Sequence, residues 1–106
     1  MAYHSLCGVY IPTAFSPNND GINDSFYVMG GNDKIVIESM QIFDRWGDLV
    51  FNNEDGCSTI GDIACGWSGL INQQEAAVGV YVYSIVLRLE GGNETFLFKG
   101  EVAIVK

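Results

Sequence analysis

Oxygen-bearing side chains recur at alternate positions in one short window, Ser16-x-Asn18-x-Asp20-Gly21-x-x-Asp24. Calcium loops use positions 1, 3, 5 and 9 in this way, with a glycine at the sharp bend and a backbone carbonyl at position 7. Asn18, Asp20 and Asp24 would supply side-chain oxygens, Ile22 its carbonyl, and Gly21 the bend. Two departures weaken the match: Ser16 stands where Asp is expected, and Tyr27 stands where the bidentate Glu of position 12 belongs. Only two carboxylates would face the ion, so affinity would be modest. The same residues have another use, because Asn and Asp side chains bond backbone groups one or two residues on. A network of Asx-turns and a calcium loop are therefore both open readings. Pro12 and Pro17 add fixed φ angles and remove two amide donors, so the window is an elaborate turn in either case.

The remaining chemistry is sparse. Cys57 and Cys65 bracket a polar, glycine-containing segment and are expected to close it as a disulfide, with Cys7 left over near the N-terminus. Their spacing matches no zinc pattern, and the lone His4 is far away. No Ser sits in a Gly-x-Ser-x-Gly elbow, and no glycine-rich loop leads into a helix. Glu54 and Asp55 form a carboxylate pair of the kind a glycosidase uses, but they lie in turn-like sequence that reads as a solvated face. An enzyme is not expected.

These groups must be positioned by one domain, since 106 residues make one core. With 48% hydrophobic and 12% aromatic residues the chain can bury that core. Its 13 acidic residues outnumber 5 basic ones, a net charge of −8. That balance argues against nucleic acid and against docking on anionic lipid. No apolar run approaches the ~20 residues of a membrane helix, and Met1 to Ser5 lacks the basic start of a signal peptide. Residues 1–8 read as a lead or linker, and 9–106 as a single domain excised from a larger exported protein.

The periodicity is that of an all-β protein. Gly79 to Leu89 is the clearest strand, with Tyr81, Tyr83, Ile85, Leu87 and Leu89 on the expected core face. A turn over Glu90 to Glu94 leads to a return strand, Thr95 to Val105, whose Phe96, Phe98, Val102 and Ile104 share a face. Lys34 to Arg45 forms a longer strand. Its apolar parity switches between Ile37 and Met40, which predicts a bulge near Glu38-Ser39. Trp46-Gly47-Asp48 then turns the chain into Leu49 to Phe51. Gly8 to Phe15 and Ser25 to Met29 read as short strands, residues 52–66 as a loop, and Gln73 to Ala77 as at most one helical turn. About seven strands suggest a sandwich. Both tryptophans, Trp46 and Trp67, are expected to be buried beside tight turns, the alternative being an exposed carbohydrate or protein platform.

Four ordered blocks carry a resemblance. The string Tyr10 to Phe26 resembles the signature of the gliding-motility-associated C-terminal domain. It is followed by Ile42 to Phe51, by Gly66-Trp67-Ser68-Gly69, and by Val78 to Tyr83. The closing strand, Phe98 to Lys106, also ends as members of that family end. Ser68 departs from the commoner Asp, and the Cys57–Cys65 segment is an insertion. The resemblance implies an immunoglobulin-like antiparallel β-sandwich acting as a type B targeting domain of the type 9 secretion system. Such a domain is a non-catalytic sorting signal that directs an upstream passenger through the periplasm to the cell surface or medium. Its implied partners are the translocon and an outer-membrane partner protein, without insertion into the membrane. A recognition surface is expected from Pro12, Phe15, Pro17, Asn18, Asp20, Gly21, Asn23, Asp24, Arg45, Trp46 and Gly47. The competing expectation is an Ig-like adhesin or carbohydrate-binding module.

Overall fold

Among the described residues there are seven strands, the long ones built on alternation of apolar and polar residues: β1 (Ala14–Phe15), β2 (Ile35–Phe43), β3 (Leu49–Asn53), β4 (Leu70–Ile71), β5 (Gln74–Glu75), β6 (Gly79–Leu89) and β7 (Thr95–Ile104). The computed structural model describes residues 9–17, 24–30, 35–53, 65–89 and 91–105. A five-stranded sheet in the order β1-β7-β6-β2-β3 carries most of the fold, and β4-β5 form a separate two-stranded ribbon. The chain is an all-β sandwich. All strand pairs are antiparallel except β1–β7, which run parallel through Ala14↔Ala103 and Phe15↔Ile104.

The long strands follow the sequence closely. β6 spans the expected residues, and β7 ends one residue short of Val105. The parity switch in β2 is a register shift between Ile37 and Ser39 opposite β6. The extra residue lets Ile35 and Ile37 before it, and Met40 and Ile42 after it, all reach the core. The short upstream strands contract instead. Of the stretch Gly8 to Phe15, Gly8 lies outside the described residues, Tyr10 makes an isolated bridge to Met29 and only β1 is a strand, while Ser25 to Met29 adds the bridge Phe26↔Trp67. The helical turn expected at Gln73 to Ala77 is absent. In its place β4 and β5 form a hairpin around Asn72 and Gln73, whose φ angles of 53° and 69° are those of a two-residue primed turn.

The core lies between the inner face of the large sheet and a covering layer drawn from the opening block and residues 65–76. Ile42, Ile85, Leu87, Val102 and Ile104 meet Phe15, Phe26, Val28 and Trp67 there. Trp67 is 1% exposed and contacts the rings of Phe15 and Tyr81 at centroid distances of 5.6 and 5.3 Å. Its indole Nε1–H donates to the Leu70 carbonyl at 3.0 Å. Burial of this ring thus comes with a hydrogen bond for its one polar atom, which removes the penalty for hiding it.

Two glycines explain the spacing of the block Gly66-Trp67-Ser68-Gly69. A Cβ on Gly66 would collide with the Phe26 carbonyl oxygen and the Tyr27 Cβ, both held by the Phe26–Trp67 bridge. Gly69 adopts φ +85°, and a Cβ there would lie 3.1 Å from Pro17 Cγ. The opening block and this block are therefore one packed unit. Asn53 closes the same region, donating from its buried amide to the Cys65 carbonyl at 3.0 Å.

Candidate functional site

The turn joining β2 to β3 projects the most exposed aromatic ring among the described residues. Its geometry is organised by Asp44, whose Oδ1 accepts the backbone N–H groups of both Trp46 and Asp48 at 2.9 Å. The Asp44 N–H donates to the Asp48 carbonyl at 2.9 Å, and the Gly47 N–H to the Asp44 carbonyl at 3.0 Å. A short carboxylate satisfying amides two and four residues on is what an Asx-type turn requires. Two ring-bearing and charged side chains are thereby held outward. The Arg45 guanidinium carbon sits 5.0 Å from the centre of the Trp46 ring, within cation–π range. Trp46 is 75% exposed. The expectation that this ring is buried is corrected: the turn lies beyond the end of the sheet, where no covering layer reaches it. Trp67 meets the same expectation.

Beside Trp46 lies a cleft of about 460 Å³, walled by Asp44, Asn72, Glu75, Val78 and Tyr81. Three elements form it: the β2–β3 turn, the β4–β5 hairpin and the first residues of β6. The Tyr81 hydroxyl donates to the Ala77 carbonyl at 2.8 Å, which pins the chain entering β6. Burial pushes the Tyr81 phenol pKa up, the Asp44 carboxylate adds to the rise, and the Arg45 guanidinium opposes it. Tyr81 therefore stays neutral at physiological pH, and the charges at the cleft are those of Asp44, Arg45 and Glu75.

Of the residues expected to recognise a partner, Arg45, Trp46 and Gly47 stand together at this end. Pro12 and Phe15 are buried, and Pro17 packs near Gly69. Asn18, Asp20, Gly21, Ile22 and Asn23 lie outside the described residues, so of the candidate calcium ligands only Asp24 is described. No group of three or more His, Cys, Asp or Glu suited to a metal occurs among the described residues. Cys65 is buried, while Cys57 and Cys7 lie outside the described residues. No helix among the described residues is long and apolar enough to cross a membrane.

The sequence reading missed Asp44, and it missed the wall supplied by Asn72, Glu75 and Val78. The signal for Asp44 was present, since an Asp four residues before a second Asp across a Trp-Gly pair is a turn signature. The hairpin had no such flag, because Gln73 occupies a left-handed position where Gly is the usual mark.

The domain is thus a small β-sandwich with a turn-borne Arg-Trp pair beside a mixed polar and apolar cleft. The chain belongs to the CHU_C type IX secretion signal domain family, whose model matches residues 9–104. Domains of this family are sorting signals rather than catalysts, and they mark proteins for export to the cell surface or the extracellular space. No curated protein matches the chain significantly.

Proposed function

We propose that residues 9–106 act as a folded address label for an upstream passenger, read by the type 9 translocon and an outer-membrane partner protein. The observation that carries this reading is the family match over residues 9–104, joined to a Trp that is 75% exposed at one end of the sandwich. Large aromatic and Arg side chains dominate binding energy at protein interfaces, and a small domain has little other reason to leave them in water. Arg45, Trp46 and Gly47 are the contact surface in this reading. Pro12 and Phe15, being buried, contribute by fixing the shape of the opening block, and Pro17 does so through its packing near Gly69. This reading also assigns recognition to Asn18, Asp20, Gly21, Asn23 and Asp24, and it does not need them to hold calcium tightly. A melting temperature that rises with added calcium and falls with chelator would reverse that last assignment.

A disulfide between Cys57 and Cys65 belongs to the same proposal and suits an exported domain. The burial of Cys65 suits such a bond. Intact mass after alkylation without reductant should show one modified cysteine, Cys7.

The test of function is export. Residues 9–106 fused to a periplasmic reporter should carry it to the surface or medium of a host with type 9 secretion. A reporter retained in the periplasm ends the sorting reading. The exposed Trp46 beside polar side chains also suits a carbohydrate module, so saturable glycan binding by the isolated domain would favour that alternative.

A further inference from the structure

The cleft beside Trp46 does not end at its rim. Val78 and Val80 line it, and Val78, Val80 and Val82 are all exposed large apolar side chains at alternate positions. Val80 and Val82 are alternate residues of β6 and share a face, while Val78 sits just before the strand and joins them at the cleft. Val80 lies opposite Ala103, and Val82 lies between Phe43 and Glu101, so the strip on the outer face of the sheet has apolar neighbours along part of its length and a carboxylate beside its far end. An exposed Trp at one end of such a strip is the arrangement of a binding surface rather than of scattered surface hydrophobics.

The charges choose between occupants. Asp44 and Glu75 wall the cleft against the single guanidinium of Arg45, and that guanidinium is stacked on the Trp46 ring. Asp44 uses Oδ1 for its two turn amides, which leaves Oδ2 to accept from a ligand. The chain as a whole carries a net charge of −8, so a second copy of itself is repelled and a basic segment is drawn in. A sugar would use the Trp and the carboxylates, but it would leave the valine strip in water.

We propose that this cleft and strip seat an extended segment of a protein partner, its aliphatic side chains on Val78, Val80 and Val82 and a flanking lysine or arginine at Asp44 and Glu75. The assignment rests on the sorting reading for the identity of the partner, and on the cleft itself for its chemistry.

The isolated domain can be titrated with a pentapeptide amide of alternating valine and lysine, and with the same peptide carrying glutamate for lysine. Trp46 fluorescence reports contact, and buried Trp67 is the internal control in a Trp46→Phe variant. The lysine peptide should shift the emission saturably and bind at least tenfold more tightly than the glutamate peptide. D44N with E75Q, which keep a side-chain carbonyl acceptor at each position, should cut that preference severalfold, with circular dichroism showing that the fold is retained. Absence of saturation with either peptide, or equal response to both, overturns the proposal. A saturable response to methyl glycosides with none to peptide makes the cleft a sugar site and overturns it too. Emission that shifts on concentrating the domain alone assigns the strip to a second copy, with the same consequence.

In the export assay, Trp46→Ala should lower reporter export at least tenfold. Normal export of that variant beside an exported wild type overturns the cleft assignment and leaves the sorting reading standing. If the wild type itself is retained, the sorting reading fails, and with it the partner assigned to the cleft.

Discussion

Phe26 and Trp67 exchange backbone hydrogen bonds in both directions at 2.8 Å, and the two residues come from blocks some forty positions apart. The bridge aligns Phe26 beneath Gly66, so the glycine is required by the backbone of a distant segment. Gly66→Ala must move that backbone and should destabilise the domain by about 1–3 kcal/mol, the usual effect of overpacking. Urea unfolding followed by far-ultraviolet circular dichroism measures the change.

The two tryptophans should separate cleanly. Trp67→Ala removes a ring packed against Phe15 and Tyr81 and frees the Leu70 carbonyl. The expected loss is about 3–5 kcal/mol, enough to threaten folding at 37 °C. Trp46→Ala removes a ring mostly in water and should alter stability by no more than about 0.5 kcal/mol. Paired denaturant midpoints decide this, and a large effect at Trp46 would mean the turn is part of the packed structure.

Asn53→Ala takes away the amide that serves the Cys65 carbonyl in a buried setting. An orphaned buried acceptor costs about 1–3 kcal/mol, so this variant should unfold at clearly lower urea than wild type.

The ion pair Arg88–Glu38, at 2.7 Å, joins β6 to β2 at a partly exposed position. Such pairs contribute at most about 1 kcal/mol and weaken with salt. Glu38→Gln should therefore have a small, salt-sensitive effect. Arg88→Met should have a larger one that persists in salt, because Arg88 also donates to the Gly92 carbonyl at 3.2 Å and holds the β6–β7 turn. Thermal melts at low and high salt compare them.

Burial raises the phenol pKa of Tyr83, as it does that of Tyr81. The folded domain holds both rings neutral, while in the unfolded chain they ionise near the ordinary value of about 10. Their contribution is complete below that value and is lost as pH climbs through the raised folded values. The melting temperature should fall above pH 10, and Tyr83→Phe should fall less steeply. An identical alkaline limb in wild type and variant would contradict this.

The sequence carried the sheet better than it carried the covering layer. β6, β7 and the bulge in β2 were legible because each residue's parity decides whether it meets the core or water. The opening block and residues 65–76 have no such period. They are held by single bridges, ring contacts and glycine clearances, all between residues distant in sequence. The turn at Asp44 to Asp48 was legible as a turn, but the direction of its Trp was not. Whether a ring at a hairpin tip is covered depends on what else arrives there, and local sequence is silent on that. The cleft needed three separate elements to meet, and its hairpin lacked the usual glycine at Gln73.

The parallel pairing of β1 with the end of β7 joins positions 14–15 to 103–104, almost the full length of the domain. Ala103 and Val105 donate to the Thr13 and Phe15 carbonyls across that seam at 2.9 and 3.0 Å. Positions 13–15 and 103–105 therefore stand or fall together: loosening either one uncovers backbone groups that the other now satisfies, so β1 acts as a clasp on the end of β7.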